Sequence, residues 1–282
     1  MIGPTRGQRR RLVNVVMLGG TAVCTLLSIS VLFFVLGYLL VKGWSSLNLA
    51  FFTSLPKPTG ETGGGMANAL VGSAKMLGIA AVTGLPLGLM AGLYLSEFSG
   101  RAMAHAVRYA ADLLNGMPSI VIGIFVYTVV VLPMKRFSTL AGGLALGVIM
   151  IPIMTRSSEE FLLAVPRSLR DASLALGASR TVTILRVVVP AASRGIVTAA
   201  MLGLARVAGE TAPLLFTSLS NAFWSPGLLH PSASLPVMIF NYATSPYQDW
   251  IRQAWAAGLV LLTLVLMANI GARLLLGGKS HA

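Results

Sequence analysis

From residue 12 to residue 41 the chain runs thirty residues without a single charge. As one α-helix that stretch is about 45 Å long, against roughly 30 Å of bilayer hydrocarbon. The apolar part of a secretory signal is only about 7–15 residues. The run therefore predicts a retained membrane-spanning helix, entered from the basic cluster Arg6, Arg9, Arg10 and Arg11. The rest of the chain has the same character, with 55% hydrophobic and 10% charged residues. Its mean hydropathy is +0.81. Soluble domains carry about 25% charged residues, so a chain this apolar has too little polar surface to cover a water-soluble core. An ordinary cytosolic enzyme and a disordered protein are excluded, and an all-α integral membrane protein is expected. The net charge of +13 is not gathered into one basic face that nucleic acid could use. Its members sit at the ends of apolar runs, where membrane topology places them. The only cysteine, Cys24, lies in the first run, which excludes an intrachain disulfide and a thiolate metal cage.

Further apolar runs at about 66–95, 113–132, 140–154, 195–219 and 254–276 bring the expected spans to six, so both termini fall on one side. That side carries fourteen Lys and Arg: four before the first run, Arg101 and Arg108, six in 156–194, and Arg273 and Lys279 at the end of the last run. The other side carries five, namely Lys42, Lys57, Lys135, Arg136 and Arg252, while Lys75 and Arg206 fall within runs. The positive-inside rule then predicts an N-in, C-in chain. Lys135 and Arg136, in a short outer loop, run against the count. The expected organisation is a cytoplasmic tail over 1–11, a first transmembrane helix with its outer loop over 12–65, and a core over 66–276. That core holds five transmembrane helices and a cytoplasmic loop over 156–194, and a short cytoplasmic tail over 277–282 follows. Trp44, Trp224, Trp250 and Trp255 fall near the outer interface, as an aromatic belt does. Gly84, Gly88 and Gly92 form a one-face row on the second span, and Gly143 and Gly147 do so on the fourth. Such rows allow close helix approach in lipid. Pro86 and Pro118 inside spans predict kinks.

The inner segment 156–194 is too patterned for a linker. Leu162, Val165, Leu169, Leu174 and Leu176 alternate with Arg167, Arg170 and Asp171. That pattern predicts short amphipathic helices broken at Pro166 and Gly177, the glycine being suited to a left-handed cap. On pattern alone, a helix pair lying on lipid headgroups and a docking element fit equally well.

Within the fifth run, Arg206 and Glu210 put a base and an acid about halfway along an apolar helix. A charge at bilayer depth costs at least about 2.5–3.5 kcal/mol and commonly marks a pathway. Four residues apart, the two are expected on one helix face. They could form a purely structural ion pair, although the favourable helical order places the acid first and here it is second. A guanidinium fork also suits a phosphate or carboxylate ligand.

Asp171, Ala172, Ser173, Gly177, Val187, Val189 and Pro190 resemble, in spacing, the cytoplasmic loop of binding-protein-dependent ABC transporter permeases. That loop carries Glu-Ala-Ala, three residues, Gly, nine residues and Ile-x-Leu-Pro. Asp stands here for Glu, Ser for the second Ala, and Val for Ile and Leu. The resemblance implies that the segment forms a coupling helix seated in a groove of a separate ATPase subunit, with Asp171, Ala172, Gly177 and Pro190 as the coupling residues. The stretch from Arg206 to Thr217, Arg-Val-Ala-Gly-Glu-Thr-Ala-Pro-Leu-Leu-Phe-Thr, resembles the phosphate branch of that family. So do the stretches 63–70, 118–127 and 235–240, and the likeness covers nearly everything from Phe51 onward. It implies an ABC importer permease bundle in a bacterial inner membrane, with Arg206, Glu210 and Thr211 on the substrate pathway. The partners it implies are a homologous second permease, an ATPase dimer, an external phosphate-binding protein and inorganic phosphate. Besides membrane lipid, no further partner and no cofactor is expected.

ATP is not expected to bind here. Gly278-Lys279-Ser280 ends like a phosphate-binding loop, but Arg273 stands at its first glycine. His105, His230 and His281 are scattered, and neither HExxH nor GxSxG occurs. The alternatives are a permease for another small oxyanion and a self-contained secondary transporter or channel. A membrane enzyme would need a nucleophile or metal set that the sequence lacks.

Overall fold

The uncharged run that opens the chain forms α1 (Arg6–Trp44), which the rest of the protein hardly covers. A computed structural model describes residues 6–98, 100 and 102–277. Residues 1–5 of the first tail, Arg101, and Gly278, Lys279, Ser280 and His281 of the last tail lie outside the described residues. Every regular element among the described residues is helical. Among the described residues, five helices are long and apolar enough to cross a membrane, or six if one bent pair is counted as a span. After α1 come α2 (Leu49–Thr53), α3 (Ala67–Glu97), α4 (Ala102–Gly116) and α5 (Ser119–Val126). A π-helical turn, Tyr127–Val131, joins α5 to α6 (Leu132–Met134). The chain continues through α7 (Thr139–Leu163), α8 (Arg167–Ala175) and α9 (Arg180–Thr183). A second π turn, Ile184–Val188, leads into α10 (Val189–Ala208), followed by α11 (Ala212–Thr217), α12 (Leu235–Ala243) and α13 (Gln248–Gly277).

The bundle is organised on α3 and α7, which share its largest interface. The two glycine rows meet there. A Cβ on Gly84 would lie 2.9 Å from the Gly147 carbonyl oxygen, one on Gly88 2.8 Å from that of Ile151, and one on Gly92 2.7 Å from that of Thr155. Gly143 in turn faces Ile79, and Gly147 faces Thr83. The period-four spacing thus lets two backbones approach more closely than any larger residue permits. Met76, Leu146, Ile149, Met150, Val207 and Leu214 fill the adjoining core.

The two expected proline kinks have different outcomes. Pro86 lies inside an uninterrupted α3, held along its length against α7. At Pro118 the third expected span is broken outright: α4 ends at Gly116, α5 starts at Ser119, and the two axes diverge by 104°. A proline lacks the N–H that would continue the ladder, and the residue before it avoids helical geometry.

The fourth and fifth expected spans also have different ends. α7 continues to Leu163, so Arg156 and Glu159 lie on that helix rather than in the loop that follows. The fifth run is two helices. α10 stops at Ala208 with Gly209 as its cap, and α11 restarts with Pro213 in its first turn. Pro213 has no N–H for the Gly209 carbonyl, and its ring would collide with that carbonyl in a continuous helix.

At the end of the bundle opposite α8, the segment between α11 and α12 folds back over the mouth of α7. Ser138 donates its N–H to the Thr217 carbonyl (3.0 Å), Thr139 to that of His230 (2.9 Å) and Leu140 to that of Leu228 (2.8 Å). Among the described residues, α1 meets the bundle chiefly through α13. Gly43 meets the Trp255 carbonyl, and Tyr38 packs edge-on to Trp255 at 5.1 Å.

Candidate functional site

The two helix breaks face each other. Asn115, Met117, Pro118 and Ser119 from the α4–α5 break, Arg206 and Glu210 from the α10–α11 break, and Ile149 and Ile153 of α7 line a mostly polar cavity of about 180 Å³. The breaks are packed tightly together, since a Cβ on Gly123 of α5 would lie 2.6 Å from Pro213 Cα. Counting from Thr139 at 1.5 Å per residue, Ile149 and Ile153 lie about 15 and 21 Å along α7. That is near the middle of a roughly 30 Å apolar layer. α5 opens at the cavity, and its first N–H groups have no acceptor within the helix. Interrupted helices meeting at mid-depth are a recurrent way to hold a charged solute in a membrane.

The break changes the geometry expected for the charge pair. Arg206 sits in the last turn of α10, where the helix dipole favours a cation. Glu210 is beyond the helix, its N–H bonded to the Val207 carbonyl (3.2 Å), so the two do not share a continuous helix face. No ion pair joins them, and neither side chain has a hydrogen-bond or ion-pair partner among the described residues. Arg206 is exposed and Glu210 half-buried. Thr211 is half-buried at the start of α11 and is not among the residues that line the cavity.

A second set of charges lies at the α8 end, and the sequence reading passed over it. Glu159 is buried between two arginines. Arg108 of α4 bonds its Oε1 through Nε (3.1 Å) and Nη2, and Arg156 Nη1 donates to its Oε2 at 2.8 Å. Arg156 Nε also reaches Asp112 Oδ1 at 3.0 Å. Glu97, the last residue of α3, takes Arg170 of α8 and lies 3.7 Å from Arg180 of α9. A usable signal was in the composition. With 21 Lys and Arg against 8 Asp and Glu, an acid is the scarce partner, so each acid deserves a search for its base. Glu160, Asp171 and Glu210 are the acids without an ion pair among the described residues.

The α8 segment lies between the expected breaks: α8 starts after Pro166 and closes before Gly177, whose φ of +82° is the left-handed conformation glycine adopts freely. Asp171, Ala172, Gly177 and Pro190 are all exposed. Leu176 is 88% exposed, and Leu169 and Leu174 stand out beside it. Among the described residues no cluster of three or more His, Cys, Asp and Glu is arranged to hold a metal ion.

The chain matches the model of the family described as binding-protein-dependent transport system inner membrane component over residues 84–277. The phosphate transport system permease protein PstA of Yersinia pestis is 46% identical over 241 residues, 85% of this chain and 82% of that protein. The protein of the same name from Haemophilus influenzae is 41% identical over 267 residues, 94% of each. Among solved structures, a bacterial alginate ABC transporter, crystallised with a periplasmic protein bound to an alginate pentasaccharide, superposes with a TM-score of 0.64. It is 13% identical, covering 93% of this chain and 96% of that one, and so speaks for the fold alone. A family match reaching from the middle of α3 to the end of α13, with relatives alike over most of their length, means that this chain belongs to the binding-protein-dependent transport system inner membrane components and groups with the PstA permeases among them.

Proposed function

We propose that this multi-pass membrane protein is one permease subunit of an ATP-driven importer of inorganic phosphate. The observation that carries the reading is Arg206: an exposed guanidinium near mid-membrane with no ion-pair partner among the described residues, in a protein whose relatives are named phosphate transport permeases. Lipid cannot solvate that charge without a cost of at least about 2.5–3.5 kcal/mol. A water-filled pathway shared with a second, homologous permease covers it instead.

In this reading the bent α4–α5 pair is one span, giving six with both termini in the cytoplasm of a bacterial cell bounded by its inner membrane. The first helix with its loop, 12–65, is an appendage to a core over 66–276. The exposed α8 segment, through Asp171, Ala172, Gly177 and Pro190, docks on an ATPase subunit, one copy for each permease, and ATP is hydrolysed there and not on this chain. A phosphate-binding protein delivers ligand from outside. Arg206 donates two parallel hydrogen bonds to phosphate oxygens. Glu210, ionised, accepts the hydrogen bond of a proton that phosphate carries at neutral pH and sulfate does not. To sulfate the same carboxylate is repulsive. Thr211 adds a hydroxyl just beyond the cavity.

The test is uptake by the assembled transporter in proteoliposomes, with labelled phosphate and labelled sulfate offered separately. ATP-dependent entry of phosphate and not sulfate is expected. Entry of sulfate at an equal rate, or phosphate entry without the ATPase, would contradict the reading. A reporter at Thr59 should be reached from outside and one at Ser179 from inside, and the opposite labelling would overturn the orientation.

A further inference from the structure

The α8 segment is tied to the end of α3 through Glu97. Glu97 is the last residue of α3, and its side chain is 8% exposed although it lies at the end of the helix. Arg170 of α8 donates Nη1 to Glu97 Oε1 and Nη2 to the Leu162 carbonyl at the end of α7 (2.8 Å). Arg180 of α9 donates to the Glu97 backbone carbonyl and lies 3.7 Å from its Oε2. The Arg180 guanidinium also rests 4.8 Å above the centre of the Phe98 ring. Ser173 and Thr183 share a hydrogen bond of 2.9 Å, tying α8 to α9. Beside these contacts is a cavity of about 450 Å³ of mixed lining, bounded by Glu97, Arg170 and Asp171 on one hand and by Leu163, Val165 and Leu174 on the other. Val165 and Val188 on either side of the segment pack with Leu89 and Leu93 of α3, but α8 buries no side chain of its own, so its direct ties to the end of α3 are the charged contacts.

α3 is suited to carry displacement. It is one uninterrupted helix of 31 residues, about 46 Å long, and it is locked to α7 by the glycine contacts at Gly84, Gly88 and Gly92. α7 in turn supplies Ile149 and Ile153 to the mid-membrane cavity. A push on α8 reaches α3 through two guanidinium groups gripping one buried carboxylate. Charge-assisted pairs of this kind keep their geometry where neutral ones slip.

We infer that Glu97 is a positioning residue for coupling: its carboxylate fixes α8 and α9 to the end of α3, so that movement of the docked ATPase is transmitted to the bundle instead of being absorbed by the cavity beneath α8. This rests on the reading of the α8 segment as the ATPase-docking element. Glutamine at 97 can still accept one hydrogen bond from Arg170, but it cannot attract two cations.

The experiment uses the assembled transporter in proteoliposomes and records ATP hydrolysis and phosphate uptake in the same vesicles. Glu97→Gln is expected to hydrolyse ATP within about twofold of the unchanged protein while uptake per ATP falls roughly tenfold. Glu97→Asp, which keeps the charge, should recover most of the ratio. A Glu97→Gln transporter with the original ratio would overturn the inference, as would uptake and hydrolysis falling together. Hydrogen exchange on the same preparations gives a second readout that needs no phosphate. Amides of 167–175 should exchange faster in Glu97→Gln while those of α3 and α7 do not change. Unchanged α8 exchange, or faster exchange throughout, would overturn it as well. If the unchanged transporter takes up no phosphate, the substrate reading fails, and the exchange data still decide the role of Glu97.

Discussion

Two groups of charges lie within this apolar protein, and their surroundings are opposite. At the α8 end, Glu159 is held by Arg108 and Arg156, and Glu97 by Arg170 and Arg180. Near mid-membrane, Arg206 and Glu210 line one cavity and pair neither with each other nor with another described residue. A paired charge holds helices together and leaves no capacity for a ligand. An unpaired one, where desolvation is most expensive, is costly to a single chain and useful only if something else supplies the missing partner. In the proposed reading, the difference separates the charges that build the protein from those that serve its cargo.

The largest expected effect comes from Arg206→Gln. Transport should fall on the order of a hundredfold or more, in the range seen when one partner of a desolvated charge contact is removed. The melting midpoint in detergent should move little, because no hydrogen bond or ion pair of that side chain among the described residues is lost. Arg206→Lys should keep part of the activity, since it retains charge but not the planar fork. A large drop in stability for Arg206→Gln would erase the distinction between the two regions. Glu159→Gln should show the converse. It leaves two arginines around a neutral group in a site where Glu159 is only 6% exposed, a loss of about 3 kcal/mol. Thermal unfolding and membrane protein levels should report that loss, while the correctly folded fraction still prefers phosphate to sulfate.

Gly88→Ala sharpens the structural side without touching a charge. The added Cβ would meet the Ile151 carbonyl oxygen at 2.8 Å and the Met154 Cβ at 2.6 Å, so α3 and α7 must part, at a cost of about 1–3 kcal/mol. A thermal melt of the variant checks this, and full stability would mean that the two helices have slack. The smallest effect is expected for Glu210→Gln. Folding should be unaffected, while passage is impaired or sulfate begins to compete with phosphate, by several-fold in a competition uptake assay.

How much of this the sequence discloses depends on the range of the interaction. The glycine rows are legible because close helix packing repeats every four residues, and the structure sets Gly84, Gly88 and Gly92 against α7. Arg206 and Glu210 are legible because a charge inside an apolar run stands out. Their true relation was hidden, because hydropathy continues smoothly across Gly209 and Pro213 while the backbone does not. Pro118 was read as a kink and is a break of 104°. Proline permits both outcomes, and neighbouring helices decide between them: α7 supports α3 as one helix through Pro86, whereas beyond Pro118 the chain turns so that α5 packs against α11. Glu159 was missed because Arg156 and its neighbours were counted as loop charges, and because Arg108 lies 51 positions away. Contacts at that separation have no period to reveal them.

The central claim is that Arg206 and Glu210 serve a solute and are not a structural pair. Phosphate uptake by the apolar double variant Arg206→Leu with Glu210→Leu, in membranes matched for protein level, tests it most directly. With both charges gone no desolvated group is left behind, so a purely structural pair should be replaceable and transport should return. The account predicts a stably inserted protein that carries no phosphate; restored phosphate uptake by the double variant would contradict it.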